Sequence, residues 1–178
     1  MKKLFCTLLM AICVICVVAQ EKSLVNLQLE TRFDYQREYL DGDAVKANSG
    51  FKGKYLNVIL NGTISEKWSY SYRQRLNKAH ADASFFDATD WLHLTYKLND
   101  NWSFNGGKQV VGIGGYEYDR APIDLYFCSE YWNNIPCYQL GISTTYTTNK
   151  GNDSFMFLIC ESPFNFQNED LYAYNLMW

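Results

Sequence analysis

From Val25 the chain alternates: Val25, Leu27, Leu29, Thr31, Phe33 and Tyr35 fall on one parity, and Asn26, Gln28, Glu30, Arg32, Asp34 and Gln36 on the other. A period of two gives a β-strand one apolar and one polar face. A dozen alternating residues is long for a half-buried strand in water and matches a tilted strand that crosses a hydrocarbon layer with both its interfaces. The pattern returns where Leu56, Val58, Leu60 and Ile64 oppose Tyr55, Asn57, Asn61 and Thr63. It returns again where Trp68, Tyr70, Tyr72 and Leu76 oppose Ser69, Ser71, Arg73 and Arg75, and where Leu92, Leu94 and Tyr96 oppose His93, Thr95 and Lys97. Trp102 and Phe104 open a fifth strand, and Tyr138, Leu140 and Ile142 mark a sixth. A seventh around Phe155, Phe157 and Ile159 is apolar on both faces, and an eighth begins near Leu171. Parity is ambiguous at Gly106-Gly107, where a bulge would turn Lys108 inward.

The connections between these strands alternate in length. Short ones fall at about 65–67, 99–101 and 149–153, and long ones at about 40–50, 78–89, 112–135 and 161–170. Outer-membrane barrels segregate tight turns to one end and extended loops to the other, which a soluble sandwich has no reason to do. Trp68 and Trp102 each come directly after a short turn, so both stand at one height, as aromatic girdle residues do at the headgroup boundary. The expected fold is all-β, a transmembrane antiparallel β-barrel with about eight strands present.

The N-terminus carries a different signal. Lys2 and Lys3 precede an apolar stretch of 16 residues, Leu4 to Ala19, followed by Gln20, Glu21 and Lys22. That is the shape of a cleaved secretory signal peptide, with cleavage expected after Ala19 and the barrel domain spanning 20–178. The stretch is shorter than a transmembrane helix needs, and no later segment approaches about 18 apolar residues. Composition agrees with a barrel: 48% of residues are hydrophobic and 17% aromatic, yet only 20% are charged. The net charge of -3, with no basic run, argues against nucleic acid as a partner. Cys128, Cys137 and Cys160 remain after the leader, with no zinc-like spacing. An odd number allows one disulfide, Cys128 with Cys137 across a loop, or three unpaired thiols.

Catalytic motifs are missing. Gly112-Ile113-Gly114-Gly115 lacks the third glycine of a dinucleotide loop, since Glu117 stands in its place and no helix pattern comes after it. His80 and His93 have no motif partner for hydrolysis or metal binding. We therefore expect no enzyme activity, no cofactor and no metal.

If the apolar parity meets outer-membrane lipid, the polar parity lines a lumen and its charges decide what passes. Arg32, Arg73, Arg75 and Lys97 are basic on that face, joined by Lys108 if the bulge forms; Glu30, Asp34 and Glu38 are acidic. Arg73 and Arg75 project roughly 6–7 Å apart on one strand. Either they attract anions, or they pair with Glu30 or Asp34 on the wall. The longest connection, 112–135, is the third long one. Folded inward, it would bring Tyr116, Glu117, Tyr118, Asp119, Arg120 and Asp124 to a narrow point. Left outside, it is a plain surface loop.

The run Gly106-Gly107-Lys108-Gln109, then Gly114-Gly115-Tyr116-Glu117-Tyr118-Asp119 and Pro122-Ile123-Asp124, resembles the phosphate-selective porin O and P family of Gram-negative outer membranes. The resemblance covers most of the chain after the leader. It implies a trimeric barrel of about 16 strands, with the loop from Glu117 to Asp124 bent inside as a constriction. It also implies passive transport of small hydrophilic solutes, with anion or phosphate preference carried by basic residues such as Arg73, Arg75 and Lys108. Eight strands make half of such a barrel, so the sequence is expected to be its N-terminal part. The rival expectation is a complete eight-stranded barrel with a structural or adhesive role, to which the alternation of Tyr172, Tyr174, Leu176 and Trp178 up to a terminal aromatic lends itself.

Overall fold

The computed structural model describes residues 24–78, 84–113, 117, 124–125, 127–164 and 170–178. The expected signal peptide, His80, and Tyr116, Tyr118, Asp119 and Arg120 of the expected constriction lie outside the described residues. Eight strands succeed one another: β1 (Asn26–Leu40), β2 (Asp43–Thr63), β3 (Trp68–Arg75), β4 (Thr89–Lys97), β5 (Trp102–Val110), β6 (Tyr138–Thr147), β7 (Ser154–Glu161) and β8 (Tyr172–Met177). Each pairs antiparallel with the next in one sheet, and β1 and β8 are its two edges. Among the described residues the sheet is not closed on itself.

Register fixes the faces. Leu27 stands opposite Leu60, Leu29 opposite Val58, and Leu94 between Tyr70 and Gly106, so the apolar parity forms one continuous surface. That surface is bare: Phe33 is 79% exposed, Ile142 64% and Leu27 61%. The polar parity is covered instead, with Asn57, Arg73, Gln109 and Ser143 all buried. This inverts the arrangement of a water-soluble protein, where such an apolar expanse would drive association. Lipid is the solvent that suits it.

The strand β7 is apolar on both faces because the chain leaving β5 covers its polar side. Val111 packs with Leu158 and Cys160, and Ile113 and Ala173 border the cluster. Leu158 is opposite Ser143 and so faces the polar side. Its apolar side chain is there because the start of the long connection lies over it.

One expected loop is not a loop. Residues 40–50 continue the hairpin, with Leu40 opposite Asp43 and a tight turn at Asp41-Gly42. Both turn residues have positive φ, 51° and 93°, as a two-residue type I′ hairpin turn demands and as Asp-Gly supplies. The turn chemistry overrides the length argument at this position. The other connections fall where expected: short ones at 64–67, 98–101 and 148–153, long ones at 76–88, 111–137 and 162–171.

Candidate functional site

Arg73 and Arg75 project onto the polar face from β3, and each places its Nε 2.7 Å from the carboxylate of Asp90. These side chains are nearly dry, with 4%, 12% and 5% of their surfaces exposed for Arg73, Arg75 and Asp90. The Arg73 guanidinium also lies over the Trp91 ring at 4.5 Å, and one of its terminal nitrogens has no hydrogen-bond partner among the described residues. Trp91 is fixed in turn by donating its indole N–H to Ser71 Oγ at 2.7 Å. The pairing with Glu30 or Asp34 allowed by the sequence is therefore not made. Asp34 belongs to Arg32, 2.9 Å away, and Glu30 accepts from Asn57.

Strict alternation would place Asp90 on the apolar face beside Leu92. The ladder between β3 and β4 passes from Arg73–Trp91 to Gln74–Thr89, so Asp90 is the extra residue of a bulge that turns it to the polar side. An acid on the lipid parity was the available signal, because an ionised carboxylate there would be uncompensated.

Arg32 on β1 supports the long connection. Its Nη1 donates to the carbonyl oxygen of Leu125 at 2.6 Å, a bond between residues 93 positions apart. With neighbouring strands about 4.8 Å apart, β1 stands roughly 19 Å along the sheet from β5, so this bond joins Leu125 to a strand four places from the one that precedes the connection. Leu125, Phe127 and Cys128 border a cleft of about 540 Å³ against Arg32, Lys54 and Tyr55. Farther along, α1 (Glu130–Asn134) begins at Ser129, whose Oγ accepts the Trp132 N–H. The Glu117 carboxylate accepts from both the backbone N–H and the hydroxyl of Ser129 at 2.6 Å, tying two parts of the connection together. Glu117 is thus held at the start of α1; Asp124, the immediate neighbour of Leu125, is exposed.

Of the other two expected lumen cations, Lys97 keeps the polar parity, opposite Ser103, and Lys108 does not. Lys97 stands by the 98–101 turn, more than half exposed, and pairs with Asp100 at 2.8 Å, which holds that carboxyl below the usual range. It belongs to the rim at the short-turn end. Lys108 is not turned inward by a bulge: β5 runs in unbroken register with both neighbours, and Lys108 stands level with Leu92 and Leu140 on the apolar parity. Gly107 takes the strain instead, with φ of 132° and a backbone so close to Leu92 and His93 that a side chain would collide. The Lys108 ammonium donates to the Phe86 carbonyl oxygen at 2.9 Å and lies over the Phe86 ring.

Trp68 opens β3 and Trp102 opens β5, each directly after a short turn. Trp68 packs on its register partner Tyr96, and Trp102 on Tyr146, each with ring centroids 4.9 Å apart. Trp178 joins the same end by donating its indole N–H to Asp153 in the 148–153 turn. Cys128 and Cys137 are free thiols, so the disulfide allowed by the sequence is not formed. Burial pushes both thiols up, and Glu117 adds to the shift at Cys128. No cluster of metal-ligating side chains occurs among the described residues.

The sheet thus has one apolar face, one charge-paired polar face, and a bond from its first strand to the long connection on the polar side. A family model described as phosphate-selective porin O and P matches residues 25–178. Comparison with curated proteins and with solved structures gave no match. The chain belongs to the phosphate-selective porin O and P family, a family of outer-membrane channel proteins.

Proposed function

We propose that the protein is a diffusion porin through which small hydrophilic solutes pass down their gradients, with a weak preference for anions and no catalytic step. The observation that carries this reading is the bond from Arg32 to Leu125, which holds the 111–137 connection across the polar face, where it would set the size limit. Open edges at β1 and β8 leave backbone groups that hydrocarbon cannot satisfy. In this proposal the sheet is one part of the wall of a wider barrel of about 16 strands, exported through the N-terminal leader and assembled as a trimer.

The charge pairing sets the expected selectivity. Arg32 is matched by Asp34, and Arg73 and Arg75 share Asp90, so the triad contributes one surplus positive charge rather than two. One charge raises local anion concentration modestly and makes a poor trap for a multiply charged phosphate. The test is the reversal potential of the purified protein in planar bilayers under a salt gradient. Replacing Arg73 and Arg75 together with Ala leaves Asp90 alone and should turn the weak anion preference into a cation preference. An unchanged reversal potential would remove the triad from selectivity, and a protein that inserts without conducting would sink the porin reading in favour of a structural barrel.

A further inference from the structure

Beside α1 a cleft of about 710 Å³ opens between the long connection and the upper ends of the central strands, a volume usual for small-molecule sites. Four aromatic rings border it: Tyr55, Phe86, Trp132 and Tyr138. Three side-chain amides join them, Asn133, Asn134 and Gln139. Asn133 donates one amide hydrogen to the Cys128 carbonyl oxygen and Asn134 donates both of its own to Glu130, so the cleft keeps one Asn133 N–H to donate and the amide oxygens to accept from a ligand.

Charge at the cleft argues against a phosphate. Among its described lining residues, Arg75 and Lys108 are positive, whereas Asp87, Asp90 and Glu161 are negative. Arg75 is already bound to Asp90, and a hydrogen bond from Ser84 holds the Asp87 carboxyl below the usual range, so it stays ionised. With the triad's one surplus positive charge and Lys108 set against Asp87 and Glu161, an incoming dianion would meet no net positive charge and find the one lining arginine engaged. A wholly apolar solute would strip water from amides and ions without replacing it. A sugar suits both parts of the lining: its C–H face packs on aromatic rings, and its hydroxyls meet amides and carboxylates that fix its orientation.

We propose that this cleft is a binding site for an uncharged oligosaccharide on its way through the pore, with Trp132 as a stacking platform and Gln139 as a hydroxyl partner. The proposal rests on the porin reading and specifies its solute class. Maltotriose added to the purified protein in planar bilayers should lower the ion current saturably, while inorganic phosphate at the same concentration should not. Trp132→Ala should raise the half-blocking concentration, measured against that variant's own open current, about five- to tenfold. Gln139→Ala should raise it about threefold, and it carries the test alone if Trp132→Ala does not fold. A conducting channel that maltotriose does not block, or that it blocks equally in both variants, overturns the site and leaves the porin reading standing. Block by phosphate instead of sugar overturns it in favour of an anion site. Should the protein not conduct at all, the porin reading fails, and intrinsic fluorescence in detergent then decides the site: a saturable change with maltotriose that Gln139→Ala weakens supports it, and no change overturns it.

Discussion

At the short-turn end of the sheet, Ser65 Oγ accepts the N–H of Trp68 and Asn99 Oδ1 the N–H of Trp102, each three residues ahead. At the opposite end Arg32 holds a carbonyl oxygen 93 residues away. The first kind of contact closes within a turn and places an aromatic ring at the start of the next strand by means of a short polar side chain three residues before it. The second forms only after five strands have paired, because β1 must already stand across the sheet from β5. Ion pairs divide the same way. Lys97 and Asp100 are neighbours on an exposed turn, whereas Arg73, Arg75 and Asp90 meet across two strands and lie nearly out of contact with water. One end of this protein is assembled from local geometry and the other from tertiary geometry.

The sharpest way to break that contrast is to remove one acid from each end. Asp90→Ala leaves two buried guanidinium groups without their carboxylate and should cost about 3–5 kcal/mol, read from urea unfolding in lipid vesicles. Asp100→Ala removes an exposed partner and should leave the same unfolding curve unmoved. Equal effects from the two substitutions would mean that water reaches the triad as freely as it reaches the turn.

A charge on the apolar face tests the solvent of that surface. Ile142→Lys should destabilise the vesicle-inserted protein by about 2–4 kcal/mol if the residue lies near the bilayer midplane. Tolerance of lysine there would indicate that the face is wet. Next in size comes Arg32→Ala, which removes a charge-assisted hydrogen bond worth about 1.5–3 kcal/mol. Its readout is the long connection itself: protease cleavage near Leu125 should accelerate and single-channel conductance should rise. Unaltered cleavage and conductance would show that Arg32 is not what holds the segment. The smallest effect belongs to the two ring pairs, where double-mutant cycles between Trp68 and Tyr96 and between Trp102 and Tyr146 should each give a coupling of about 0.5–1.5 kcal/mol.

Much of the fold is legible in the sequence because strand alternation is written residue by residue. Each of the eight expected strands is present, and Trp68 and Trp102 stand where their turns put them. Where expectation and structure part, the causes are particular. Length alone makes a loop of the 40–50 segment, although Asp41-Gly42 carries the chemistry of a hairpin turn. Two glycines blur parity at Gly106-Gly107 and suggest a bulge there, yet the bulge lies at Asp90, on the neighbouring strand, and Lys108 keeps the parity of Leu92. Alternation places the two arginines on the polar face, as observed, but it offers as counter-ions only the acids of that same parity, and Asp90 is not one of them.

By itself the sequence determined which face of the sheet is apolar, which eight strands form, and which turns Trp68 and Trp102 follow, since each depends on spacing along a single strand and on turns that close on themselves. Only the tertiary structure decided which charges cancel, which end Lys97 and Lys108 serve, and that the long connection lies over the polar face as far as β1. Those depend on a bulge set by pairing with a neighbour and on a bond that exists only when distant strands share one sheet.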